Sequence, residues 1–247
     1  MKPVWVGNDV VDLKNPRTEG RSTDDRFVAR VLDDGEREAV RSCGNPDLEL
    51  WSRWAAKEAG FKAISKMVGG LPGFVHRSFR ARWASSREAP AGPDEVLIRQ
   101  GTVHYEEQEA RVCVTLRPGG VHALALAGPA LDGPARVHAR VAVLDQPGSR
   151  WSGTLEELLP RFTRREVEAV RTRESAAVRL GARADLAELL GVGEQRVEIV
   201  SAPGPATLRP PLVLLDGRET EADLSLSHDG HWIAWAVCVA AASGAAS

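Results

Sequence analysis

Residues 51–66 read WSRWAAKEAGFKAISK, and the architecture of the chain follows from how this stretch is read. Alanine and straight-chain residues dominate it, which favours helix, and apolar residues recur at the steps of an amphipathic helix. One position breaks the pattern. Glu58 stands four residues after Trp54 and three before Phe61, so a carboxylate shares the apolar face with two aromatic rings.

Around this helix the same order of elements occurs twice. In the first half a strand, PVWVGNDVV, and a charged helix, DDGEREAVRS, precede it. A β pair, EARVCVTL and VHALALA, follows around the turn RPGG. In the second half RVHARVAVLD, RREVEAVRTR and the helix ESAAVRLGARADLAELLGV lead to the pair ADLSLSH and HWIAWAVCV around DG. The segment GPALDGPAR, 128–136, has linker chemistry. EREAVR against EVEAVR, and AAKEAGFKAISKMVG against AAVRLGARADLAELLG, support a duplication. The predicted fold is α+β: two similar subdomains, 1–128 and 129–247, each a long helix packed on a small antiparallel sheet. A cleft between them is a natural ligand site. RWASSREAPAGPDEV, 82–96, reads as a surface loop.

Composition narrows the function. A net charge of −2 over 247 residues argues against a general nucleic-acid binder. Cys43, Cys113 and Cys238 are odd in number and widely spaced, so neither a disulfide framework nor a zinc site is expected. No stretch approaches the roughly 20 apolar residues of a membrane span. The opening MKPVWVGNDVVDL has too short an apolar run for a signal peptide. A cytoplasmic protein is the expectation, as a monomer, since two linked halves resemble a dimer of single subunits.

The halves differ where chemistry is expected. The first carries Lys57-Glu58, then Lys62 and Lys66; its counterpart, aligned as above, has no acid opposite Glu58. Asp9 ends the first strand, and with Glu58 it could hold a hard cation, although strand-end aspartates are commonly caps. Glu58 and Lys62 could equally be an ordinary i,i+4 pair on a solvated helix. Strand alternation puts Ser225 and Ser227 on one face, with His228 at the end. His228 and His231 flank Asp229-Gly230, which is also a plain hairpin turn. P-loop, dinucleotide and GxSxG signatures are absent.

Three motifs together resemble the 4′-phosphopantetheinyl transferase superfamily: VGNDVVDL its G-x-D strand, WSRWAAKEAGFK its W-x-x-K-E-x-x-x-K helix, and LSLSHDGHWIAWAV its S-x-S-H strand. LRPPLVLLDG is similar to the G-[KR]-P-x-L segment that precedes S-x-S-H. The resemblance implies transfer of phosphopantetheine from coenzyme A to a serine of an apo acyl or peptidyl carrier protein, with Mg2+, releasing adenosine 3′,5′-bisphosphate. It implies Asp9 and Glu58 as metal ligands, with Glu58 or a metal-bound water helping to deprotonate the serine and Lys62 acting with Glu58 in catalysis. Coenzyme A would be held by Lys57, Lys62, Ser227 and His228, with Arg209 at the basic motif position and Arg171 and Arg179 on the 3′-phosphate. Asp12 matches an acid of the single-lobed members. Arginine-rich stretches such as RSFRARW could receive an acidic carrier. Two departures stand out: the S-x-S-H half comes second here, and Asn8 replaces a usual apolar residue. An inactive homologue that binds coenzyme A or a carrier is the chief rival. A generic magnesium-dependent phosphatase or nucleotidyl transferase ranks last, because it leaves Ser-x-Ser-His without a role.

Overall fold

The computed structural model describes residues 4–70, 73–88, 97–129, 131–133, 135–202 and 210–240. Strand β1 (Trp5–Asp12) is buried along nearly all its length. Helices α1 (Asp25–Val31), α2 (Asp34–Ser42) and α3 (Pro46–Met67) follow. Each begins on a side-chain cap, from Asp24, Asp33 and Asn45 in turn, which satisfies an amide the helix cannot. Asp33 and Glu36 complete a capping box.

Strands β2 (Arg80–Glu88), β3 (Leu97–Tyr105), β4 (Gln108–Arg117) and β5 (Gly120–Ala127) join β1 in one antiparallel sheet, ordered β1-β5-β4-β3-β2. The expected loop over 82–96 is corrected here, because residues 82–88 are the edge strand β2. Residues 89–96 lie outside the described residues. Helix α3 crosses β1, β5 and β4. A Cβ on Gly7 would lie 1.9 Å from the carbonyl oxygen of Ala59, so helix and strand touch backbone to backbone where only glycine fits.

With α2 against another flank of α3, the helix is enclosed instead of amphipathic. Glu49, Arg53 and Lys57 are buried along with Leu50, Ala59 and Ile64. Charges inside such a helix need partners, and Glu36 provides one. It is fully buried and accepts from the Ala81 amide at 2.7 Å, with Lys57 Nζ at 2.5 Å and Arg53 at 3.8 Å.

The second half contains β6 (Arg136–Val143), α4 (Leu155–Leu158), α5 (Arg164–Val167), α6 (Arg173–Leu190), β7 (Val197–Ser201), β8 (Pro211–Leu215), β9 (Arg218–Glu219), β10 (Asp223–Asp229) and β11 (Trp232–Val239). They form sheets ordered β10-β11-β6 and β7-β8-β9. Helix α6 packs on β11, with Gly181 against the Trp235 ring. The molecule is α+β, a long helix on antiparallel strands in each half. The β7-β8-β9 sheet has no counterpart in the expected repeat.

Glu166 repeats the part played by Glu36. It closes a capping box with Thr163, is fully buried, accepts from the Ile199 amide at 2.9 Å and faces Arg183 at 3.5 Å. Arg183 follows Glu166 at the same interval as Arg53 follows Glu36. Among the described residues, no helix is long and apolar enough to cross a membrane.

Candidate active site at the seam between the halves

Strand β1 is an edge strand, and an edge strand leaves a row of amides that need acceptors. Side chains of β10 supply them. Val6 N–H donates to Asp223 Oδ2 at 2.7 Å, Asn8 N–H to Ser225 Oγ at 2.9 Å, Val10 N–H to Ser227 Oγ at 3.2 Å and Asp12 N–H to Asp229 Oδ2 at 2.8 Å. Alternate residues of one strand thus meet alternate residues of the other, as the period of two allows. Lys66 adds a tether, its ammonium 2.6 Å from Asp223 Oδ2 and 3.1 Å from the Leu224 carbonyl.

A cavity of about 470 Å³ opens beside this seam. Asp9, Glu58 and Lys62 line it from the first half, and Ser227, His228 and Asp229 from the second. Trp51, Trp54 and Arg17 line it as well. The sequence reading missed these three. The tryptophans read as core, and the exposed Arg17 belongs to a turn set by Asn15, whose Oδ1 accepts the Arg17 amide at 3.1 Å.

Asp9 is buried, and its Oδ1 accepts from Lys62 Nζ and from Ser227 Oγ, both at 2.9 Å. Burial pushes its pKa up to about 6; Lys62 pulls it down and the Glu58 charge pushes it up. The solvated i,i+4 pair of Glu58 and Lys62 is not formed. Lys62 reaches Asp9 and the Asn8 carbonyl, 2.8 Å away, while Glu58 Oε1 lies 3.2 Å from His76 Nε2.

This donor set suits magnesium. Asp9 and Glu58 both line the cavity, so two carboxylates face the same space. Magnesium takes one or two protein carboxylates and completes its shell with water and phosphate oxygens. Both protein contacts of Asp9 fall on Oδ1, which leaves Oδ2 to the cavity. Among the described residues, no group of three or more His, Cys, Asp or Glu side chains is placed to hold a metal. Asp12 does not join as a third ligand. Its Oδ1 accepts from the Lys14 amide at 2.9 Å, and its Oδ2 lies 2.7 Å from His231 Nδ1.

His228 is exposed on the cavity wall. Partial desolvation, with Lys62 and Arg179 nearby, holds its pKa below the usual histidine value, against the pull of Glu174 and Asp229. A neutral ring is therefore favoured at pH 7, a hydrogen-bond donor more than a charge.

Lys57 departs from its expected role. It is fully buried, with its ammonium between Glu36 Oε2 at 2.5 Å and the Val31 carbonyl at 2.8 Å, so it cannot reach a ligand in the cavity. Arg171 is exposed and Arg179 donates to Ser175 Oγ at 3.0 Å; neither lines the cavity. Arg209 lies outside the described residues.

Residues 5–116 match the 4′-phosphopantetheinyl transferase superfamily. The chain is 36% identical over 66 residues to the holo-[acyl-carrier-protein] synthase of Chlamydia trachomatis serovar D, covering 27% of this chain and 56% of that protein. The first half of the chain is therefore similar to this superfamily. A second superfamily relative, the holo-[acyl-carrier-protein] synthase of Azoarcus sp., is 38% identical over 71 residues, or 29% of this chain and 56% of that protein. The chain thus spans rather more than half the length of the curated relatives it matches. Among solved structures, the holo-[acyl-carrier-protein] synthase of Thermotoga maritima aligns with 64% of this chain and 74% of its own at a TM-score of 0.32 and 19% identity. The superfamily match ends before β5, whereas the cavity also draws on β10.

Proposed function

We propose that this protein transfers the 4′-phosphopantetheine group of coenzyme A to a serine of an apo acyl or peptidyl carrier protein, releasing adenosine 3′,5′-bisphosphate. One observation carries the reading: a single cavity draws residues from the G-x-D strand, the K-E helix and the S-x-S-H strand. Asp9 and Glu58 would hold magnesium, which supplies neutralising charge to the diphosphate when bound.

The remaining chemistry belongs to positioning and charge, which dominate phosphoryl transfer. The carrier serine oxygen attacks the β-phosphorus of coenzyme A. Its new bond to phosphorus forms as the bond to the bridging diphosphate oxygen breaks, and the leaving nucleotide keeps that electron pair. Glu58 takes the serine proton on its unengaged carboxylate oxygen. Lys62 has three N–H donors and spends two on Asn8 and Asp9, so the third can meet a phosphate oxygen. His228 adds a neutral donor from the opposite wall. Trp51 and Trp54 offer an apolar surface that excludes water.

The test is to incubate the protein with apo carrier, coenzyme A and magnesium and to weigh the carrier by mass spectrometry. A mass gain of one phosphopantetheine is expected. No gain across a panel of acyl and peptidyl carriers that a known transferase does modify would overturn the proposal. Coenzyme A binding without turnover in the same samples would instead favour the inactive-homologue reading.

A further inference from the structure

We infer that Ser227 is a positioning residue for Asp9, so that the metal-binding geometry of the first half is set by docking of the second. The inference rests on the reading of Asp9 as a metal ligand. Ser227 is buried, and its hydroxyl sits between two fixed partners. Val10 N–H donates to it at 3.2 Å, while Asp9 Oδ1 lies 2.9 Å away on its other side. An amide can only donate and a carboxylate can only accept, so the single hydroxyl proton is committed to Asp9. It is not available to a substrate phosphate, which is the part the superfamily resemblance assigns to this serine.

The consequence is geometric. Ser227 and Lys62 both converge on Oδ1 of Asp9, which fixes the rotation of the carboxylate and turns Oδ2 to the cavity. Hydrogen bonds of this kind orient a ligand and raise its basicity, and their loss commonly lowers metal affinity 10- to 100-fold. The neighbouring rung provides an internal control. Ser225 caps the Asn8 amide at 2.9 Å but does not touch Asp9, so it shares the seam function of Ser227 without the positioning one.

The experiment measures manganese(II) binding by electron paramagnetic resonance on the intact protein without coenzyme A. Ser227→Ala is expected to weaken binding at least about 10-fold, whereas Ser225→Ala stays within about twofold at a comparable loss of melting temperature. Ser227→Thr, which keeps the hydroxyl, should restore binding. Wild-type affinity in folded Ser227→Ala, or equal weakening in both serine variants, would overturn the inference. Asp9→Asn separates the two levels. If it abolishes binding while Ser227→Ala does not, only the positioning role fails; if it binds like wild type, the reading of Asp9 as a ligand fails and takes this inference with it.

Discussion

The amide of Asn8 donates to the hydroxyl of Ser225 at 2.9 Å across the seam between the halves. The backbones of the two strands are engaged elsewhere, β1 with β5 and β10 with β11. The halves are therefore joined here through side chains, and each rung can be removed singly. Ser225→Ala should cost about 1–3 kcal/mol, because it leaves a buried amide without an acceptor. Turnover per folded molecule should be close to wild type. Urea denaturation and single-point turnover check this, and an unchanged unfolding midpoint would show that water replaces the hydroxyl.

Glu58→Gln tests the carboxylate on the cavity wall. The substitution keeps shape, and among the described residues the close polar partner of Glu58 is the His76 ring, so stability should change by less than about 1 kcal/mol. Magnesium-dependent transfer should fall at least about 100-fold, the scale of losing a general base. Near-normal turnover would move both metal and base away from Glu58.

Lys57 and Lys62 lie five positions apart in one motif and should behave oppositely. Lys57→Met removes the buried partner of Glu36 and should destabilise by about 3–5 kcal/mol, with turnover per folded molecule retained. Lys62→Met should reduce coenzyme A affinity and cost less stability than Lys57→Met, because its ammonium is partly exposed while that of Lys57 is fully buried. A Lys57→Met protein as stable as wild type but weak for coenzyme A would return this ammonium to the cleft.

His122 predicts an acid-sensitive fold. It is buried, with Nε2 unpartnered, and burial, then Arg117 and Lys62, push its pKa from 6.5 down to about 4. Between these values the unfolded chain binds the proton and the folded one does not, so acidification favours unfolding. The stability in question is full above pH 6.5 and is lost as pH falls towards 4. The slope is about 1.4 kcal/mol per pH unit, or about 3 kcal/mol in all. His122→Leu should flatten this part of the urea midpoint profile; an identical acid slope in the variant would assign the sensitivity to another group.

Much of the fold was legible because its signals are local. The RPGG and DG turns and the alternation of DLSLSH each act within a few residues of themselves. Asp9, Glu58, Lys62, Ser227 and His228 were found through their motifs, and the structure brings all five to one cavity. The inward path of Lys57 was not legible. Helical spacing identifies a buried face only when the other face meets water, and here α2 covers it with a partner 21 positions upstream. Strand β2 was missed because an edge strand can be polar, and its charges resemble those of a loop. The engagement of Asp12 by His231, 219 positions away, spans a distance over which no periodicity speaks.

The seam also bears on gene architecture. Val4 and Val6 share one core cluster with Ala236 and Cys238, so β1 and β11 are near neighbours in space. A short tether from the end of β11 to the start of β1, with an opening at 128–136, would let the second half be translated first with every rung of the seam kept. The seam depends on which strands meet, and the order in which the chain supplies them is a separate matter.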